Sequence, residues 1–327
     1  MGSFIVLIIV LLFLGQLTPR IDFIQEYYEV DLVTNLQMQL VLLSMVLCLL
    51  VGFWNKILMF MLLIINMLLI TANFNGYINF DFLSEQKNKI TTRTNNNRFT
   101  VMQYTFDDDL DNQIYSIYEK IDLIDKDIIV LFNVNELHKT YLKSLSEGRF
   151  SYGLIQKERM PSGMTLISKF PIKSKERNTV LDERGDILEI TLLINNEDVK
   201  ITLMHPPKPN SELNWQRRNL MINTLESIQS RTENISPYSL IVSELYTSVW
   251  SPHFISLDNF RSCANELGVY GTWFADSKLK LLGIFGAINT SHCFFSYQFK
   301  LSDLETSSVA NSLNNFVSYE LTMQNTN

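Results

Sequence analysis

Cysteine, histidine and charge are all scarce in this chain, and each scarcity removes a class of protein. The 327 residues include three cysteines, Cys48, Cys263 and Cys293, with no C-x-x-C spacing among them. A zinc module or a disulfide-stapled scaffold needs more of them, set closer together. Cys48 lies in an apolar run, and the other two are expected as small buried side chains, with a Cys263 to Cys293 bridge as the alternative. His138, His253 and His292 lack metal-ligand spacing and are expected to be structural or exposed. Only 19% of residues are charged against 46% hydrophobic, which excludes a disordered polyelectrolyte. A basic surface is missing too: beyond residue 72 there are 25 Lys and Arg against 30 Asp and Glu. Nucleic acid is therefore not an expected partner, since phosphate contacts call for clustered cations.

What is abundant is apolar sequence near the N-terminus. Gly2 to Leu17, Leu36 to Trp54 and Ile57 to Ala72 are almost uninterrupted, the last two separated only by Asn55 and Lys56. Each approaches the roughly 20 residues that a hydrocarbon layer about 30 Å thick requires. Three spanning helices are predicted, about 3–18, 36–54 and 57–72, and their all-round apolarity sets them apart from helices half-covered by a soluble core. Met1-Gly2-Ser3 offers no basic leader and Gly15-Gln16-Leu17 no small-x-small cleavage site, which favours an uncleaved anchor over a signal peptide. Lys87 and Lys89 after the third run favour a cytoplasmic domain, whereas the short Asn55-Lys56 turn and the acidic first loop favour an external one. Residues 73–98, with Asn95-Asn96-Asn97, read as a linker, and 99–327 as the soluble domain.

In that domain Phe99 to Thr105 alternates as a strand, Leu110 to Ile124 has helical spacing, and Asp127 to Phe132 is a short apolar strand. A helix at Leu137 to Leu145 precedes strands at Phe150 to Gln156, Gly163 to Ser168, Ile187 to Ile194 and Val199 to His205. Helix Ser211 to Ser230, strand Ser239 to Ser243, helix Phe254 to Leu267 and strands His292 to Phe299 and Phe316 to Met323 complete the pattern. It predicts an α+β class: two sheets in a sandwich flanked by helices.

The order of these segments resembles the endonuclease/exonuclease/phosphatase superfamily, the DNase-I-like fold of metal-dependent phosphoesterases, over about Phe99 to Gln324. Asp127-Ile-Ile-Val-Leu is similar to the strand leading to its metal-binding glutamate. Gly163-Met-Thr-Leu-Ile-Ser-Lys-Phe-Pro-Ile172 is similar to its "G-x-x-hydrophobic-x-S-R-x-P-I". His205-Pro206-Pro207-Lys208-Pro209 and Trp215 to Asn219 (WQRRN) resemble the histidine-proline segment and arginine-bearing helix of membrane-anchored bacterial members. Glu244 and Tyr246 fall on its "G-D-hydrophobic-N" strand, ahead of Trp250-Ser251-Pro252, and Thr272-Trp273 and Ile288 to Ser296 resemble later stretches. The resemblance implies water attack on a phosphoester with Mg²⁺ or Mn²⁺ held by carboxylates.

Position by position, however, the implied catalytic set is substituted. The first-strand asparagine falls on Thr105 and the metal-binding glutamate on Asn133. The "G-D-x-N" aspartate and asparagine fall on Glu244 and Tyr246. The "D-H" aspartate falls on Ser291, and the terminal "S-D-H" on Ser312, Leu313 and Asn314. Only His205 and Glu244 keep relevant chemistry, with Glu244 the one metal-ligand candidate. Mg²⁺ is a hard cation usually held by carboxylates, so no cofactor is expected, and a degenerate binding or scaffolding module in a membrane follows. Its expected partner is a protein or a small anionic ligand. The alternative is a divergent hydrolase using His205, Glu244 and either Asp107 or Asp109, with Mg²⁺ or Mn²⁺. Against that alternative stand plainer readings. His205 is expected as a loop hydrogen-bonder, Glu244 as a solvated or salt-bridged strand end, and Asp107-Asp108-Asp109 as a helix N-cap. Lys173 to Arg177 is expected as a solvated hairpin. By resemblance the chain belongs to a bacterial inner membrane with its domain outside.

Overall fold

Arg98–Thr105 (β1) and Ile128–Phe132 (β2) pair in parallel, and every residue of β2 is buried, as befits a strand covered on both faces. They stand at the centre of a six-stranded sheet completed by Phe150–Tyr152 (β3), Thr165–Ser168 (β4), Phe299–Ser308 (β13) and Asn315–Met323 (β14), in the order β13-β14-β1-β2-β4-β3. The second sheet comprises Ile172–Leu181 (β5), Gly185–Ile194 (β6), Glu197–Met204 (β7), Tyr238–Glu244 (β8), Phe260–Ser262 (β9) and Ser291–Ser296 (β12), in the order β5-β6-β7-β8-β12-β9. Trp273–Phe274 (β10) and Ala287–Ile288 (β11) make a small ribbon. The structure is a computed structural model; it describes residues 2–21, 24, 26–74, 97–107, 125–154, 161–182, 185–230, 236–255, 257–309 and 312–324.

The sheets pack face to face through Val101, Val130 and Leu166 on one side and Ile190, Ile201, Leu240 and Phe295 on the other. The alternate residues of the same strands point outward, and each outer face is covered by a helix. Leu142 of α5 (Glu136–Leu145) joins Met102, Ile129 and Ile167, and Met221, Ile222 and Leu225 of α6 (Glu212–Gln229) join Ile187, Ile241 and Phe294. The domain is thus a two-sheet sandwich between helices, the α+β architecture that the sequence predicts.

Two elements correct the sequence reading. The expected helix Phe254 to Leu267 is strand β9 followed by a five-residue helix, α7 (Cys263–Leu267), because Phe260 to Ser262 pair with β12 and tertiary pairing overrides local spacing. That pairing also brings Cys263 beside Cys293, with Cα atoms 5.5 Å apart, and the two form a disulfide rather than separate buried thiols. The long strand β13 is missed by periodicity since its Ser, Asp, Glu and Thr residues mask the alternation; pairing with β14 fixes it. Lys173 to Arg177 are exposed on β5, in a hairpin with β6, as expected. The expected helix Leu110 to Ile124, Asp108, Asp109 and most of the linker lie outside the described residues.

At the N-terminus stand α1 (Gly2–Leu17), α2 (Tyr28–Thr34), α3 (Gln37–Val51) and α4 (Lys56–Phe74). Two helices, Gly2–Arg20 and Lys56–Phe74, are long and apolar enough to cross a membrane; α2 and α3, bent by 65°, make a third only if counted as one span. The span expected at 36–54 is shorter than that, since α3 has 15 residues. Ile9, Phe13, Cys48, Val51 and Leu62 hold α1, α3 and α4 together. Polar contacts cross the same interface: Gln16 Nε2 donates to Ser44 Oγ at 2.9 Å and Ser44 Oγ to Asn66 Oδ1 at 3.1 Å.

Candidate functional site

The residues singled out in the sequence meet at one end of the sandwich, where β1, β2, β7 and β8 finish and β12 begins. Glu244, the last residue of β8, is completely buried. Its Oε2 accepts a hydrogen bond from Thr105 Oγ1 at 2.8 Å, across the mouth between the two sheets, and another from the Ser291 hydroxyl. Burial raises its pKa, only partly opposed by the hydroxyls of Ser291, Thr290 and Thr105 and by the charge of Lys208. Glu244 is therefore neither the solvated nor the salt-bridged strand end that the sequence suggests. Three hydroxyls replace the charged neighbours a carboxylate would need to hold a cation.

His205 follows β7 and is buried. Its Nδ1 lies 3.1 Å from the Ser162 carbonyl, which accepts only, so Nδ1 carries the proton; in the neutral ring Nε2 then accepts from the Tyr246 hydroxyl at 2.8 Å. Ser162 is itself fixed, with its hydroxyl donating to Asp186 Oδ2 at 2.9 Å, and Arg177 grips the same carboxylate from Nε at 2.7 Å and Nη2 at 3.1 Å. These partners lie 43 and 41 residues away along the chain, so His205 joins separate segments of the fold rather than bonding within its own loop. Tyr246 reaches it from a left-handed backbone, φ +51°, and occupies the place that the resemblance gives to a short asparagine.

Asn133, also left-handed at φ +57°, turns its amide inward to the Phe106 carbonyl at 2.9 Å. Asp107, held in reserve for an alternative metal site, instead accepts from Ser312 Oγ at 2.9 Å, from Leu313 N at 2.8 Å and from the Asn314 amide. It ties β1 to the segment entering β14. His138 closes a capping box on Asn135 and stacks on Phe106 at 4.1 Å. His292 is buried, bonded to the Thr247 carbonyl at 2.7 Å, and burial lowers its pKa to about 4 against weaker upward pulls from the Thr247 and Asn289 backbone.

This donor set does not fit the divalent cation of the implied chemistry. Glu244 is a single carboxylate whose Oε2 is engaged by hydroxyls while its buried Oε1 has no hydrogen-bond partner among the described residues, Asn133 faces a carbonyl, and Tyr246 stands beside His205. Among the described residues no three His, Cys, Asp or Glu side chains come together in a metal-holding group. Mg²⁺ usually relies on carboxylates with substrate phosphate and keeps several waters, and at this mouth the Glu244 carboxylate stands among hydroxyls.

Sequence reasoning missed the contacts that adjoin this mouth from the N-terminal helices. Asp31 of α2 and Arg218 of α6 are both completely buried and paired at 2.6 Å, and Arg218 Nη1 donates to the Tyr246 carbonyl at 2.9 Å. Trp215 Nε1 donates to Asp31 Oδ2 at 2.9 Å, and the Ser251 hydroxyl to Oδ1. The signal available was one acidic residue just before an apolar run, and the WQRRN stretch on α6.

No protein-family model matches the sequence, and no curated protein matches it either. Among solved structures the chain is similar to humanized D. rerio TDP2 (8% identity, TM-score 0.56, 69% of this chain and 100% of that one). It is also similar to an endonuclease/exonuclease/phosphatase from Bacteroides vulgatus (9%, TM-score 0.53, 69% and 99%). The human Nocturnin catalytic domain with bound sulfate anion gives 14% identity and a TM-score of 0.50 over 71% of this chain and 95% of that one. At these identities the likeness is one of fold: the chain has the DNase-I-like fold of the endonuclease/exonuclease/phosphatase superfamily.

Proposed function

We propose that this chain is a membrane-anchored DNase-I-like domain whose phosphoesterase centre is degenerate and which works as a binding or scaffolding module. The observation that supports it most is the hydrogen bond between Tyr246 and His205, at 2.8 Å. It occupies the ring nitrogen that a general base or acid would need free and fills the space beside it. The neighbouring Glu244 is sealed among hydroxyls, so electrostatic stabilisation, commonly the largest catalytic contribution, lacks its charged groups. Lys208, 5.9 Å from the centre of the Tyr246 ring, gives the mouth one cation, which suits a protein carboxylate or another small anion.

The anchor is the pair of helices Gly2–Arg20 and Lys56–Phe74, with α3 between them. The Cys263 to Cys293 disulfide supports placing the domain on an oxidising, external face, and the Asn55-Lys56 turn then lies on the inner side. The divergent-hydrolase alternative loses its support from Asp107, whose oxygens serve the 312–314 segment.

The test is an assay of the full-length chain in detergent on generic phosphodiester and phosphomonoester substrates with Mg²⁺ or Mn²⁺. The expected result is no turnover above a heat-denatured control. Turnover that His205→Ala abolishes would overturn the proposal.

A further inference from the structure

Between β10 and β11 two short 3-10 turns, joined by a kink at Gly283 (φ +57°) within Ser277–Gly286, push apolar side chains into the open: Leu281 is 92% exposed, Leu282 48% and Phe285 39%. The protrusion is built rather than frayed. The Asp276 carboxylate accepts from Lys278 N at 2.8 Å, the Ala287 N–H returns to the Ile284 carbonyl, and Lys280 Nζ donates to the Val309 carbonyl at 3.1 Å. Gly286 lies so close to Leu279 that a Cβ there would sit 2.1 Å from the Leu279 carbonyl oxygen. Thr272 N to the Ile288 carbonyl, 3.1 Å, closes the base. A fixed turn that holds Leu, Leu and Phe outward marks a surface for an apolar partner.

The surroundings identify that partner. Gln39 of α3 donates to the Ala287 carbonyl at 2.7 Å and the segment lies against α3, so the protrusion is fastened to an anchor helix. At the adjoining helix end Phe74 packs on Trp250 at 4.9 Å, and the Trp250 indole donates to the Asn73 carbonyl at 3.1 Å. With 19 residues α4 is just long enough: at about 1.5 Å per residue it spans about 28 Å, against about 30 Å of hydrocarbon. A helix with nothing to spare, whose last residues are seated in the domain, holds that face of the domain at the bilayer surface.

We propose that Leu281, Leu282 and Phe285 insert into the headgroup and acyl boundary of the same bilayer that holds the anchor, with the exposed Lys278 at phosphate level. The inference rests on the membrane-anchored reading above. Such a lip fixes the tilt of the domain, so that its site end faces the membrane at a set height.

The experiment uses the full-length chain in nanodiscs of phosphatidylcholine and phosphatidylglycerol, with a genetically encoded environment-sensitive fluorophore replacing one residue at a time. The positions are Leu281, Ile64 on the outer face of α4, and Tyr297 at the far end of β12, 92%, 60% and 56% exposed respectively. Quenching by doxyl-labelled lipid is read at each. The expected result is quenching at 281 and 64 several-fold above that at 297. Quenching at 64 with 281 no different from 297 overturns the insertion and leaves the anchor standing. No quenching at 64 removes the anchor itself, and the insertion with it.

Discussion

Asp31 and Arg218 form a completely buried ion pair, Oδ2 to Nη2 at 2.6 Å, between the short helix that precedes the second apolar run and the helix that covers the outer face of the second sheet. The pair is well supplied with hydrogen bonds: Trp215 and Ser251 donate to the carboxylate, while Asn219 and the Tyr246 carbonyl accept from the guanidinium. Such additional hydrogen bonds are what allow two charges to remain out of water. Since the same arginine holds the backbone of Tyr246, helix α2 and the site mouth share one set of bonds.

Removing one partner strands the other charge. Arg218→Met or Asp31→Leu is expected to cost about 3–5 kcal/mol, while the double variant costs clearly less than the sum of the two. Thermal unfolding of the full-length chain in detergent, run as a double-mutant cycle, measures this. Additive losses would show that the two groups do not interact.

Glu244 supplies a pH test. Its folded pKa is raised by burial, so its contribution to stability is complete below the unfolded value and is lost as pH rises through the folded one. Glu244→Gln keeps an oxygen for the Thr105 and Ser291 hydroxyls and cannot ionise. Urea unfolding is expected to find the variant gaining on the parent steadily as pH rises above 4.5, the ordinary value, and Mg²⁺ is expected to leave both midpoints unchanged. A parent stabilised by Mg²⁺, with the variant indifferent to it, would mean that Glu244 holds a cation.

The disulfide closes a loop with a sequence separation of 30 residues. By the chain-entropy relation a loop of that length stabilises by about 3–4 kcal/mol. Cys263→Ala with Cys293→Ala is expected to lower the denaturation midpoint by that order, and dithiothreitol to lower the parent's but not the variant's. A midpoint unmoved by both treatments would place the two thiols apart.

Much of this protein is legible along the chain. Apolar runs free of charge announce helices long and apolar enough to cross a membrane, of which two stand among the described residues, and the buried strand Ile128–Phe132 announces a sheet covered on both faces because no polar residue interrupts it. That Thr105, Asn133, Tyr246 and Ser291 bring hydroxyl, amide and phenol groups and no carboxylate is likewise legible. What the substitutes do is decided only in three dimensions. That Thr105 and Ser291 donate to Glu244, that Tyr246 satisfies His205 and that Asp107 fastens the segment entering β14 depend on residues 41 to 205 positions apart meeting at one sheet end. No periodicity encodes such meetings. The same holds for Asp31 and Arg218, 187 residues apart, and for the disulfide, which exists because β9 pairs with β12. Sequence set the chemistry that each segment brings, since burial and propensity act locally; tertiary packing chose the partners, since a buried polar group takes whichever neighbour the fold delivers.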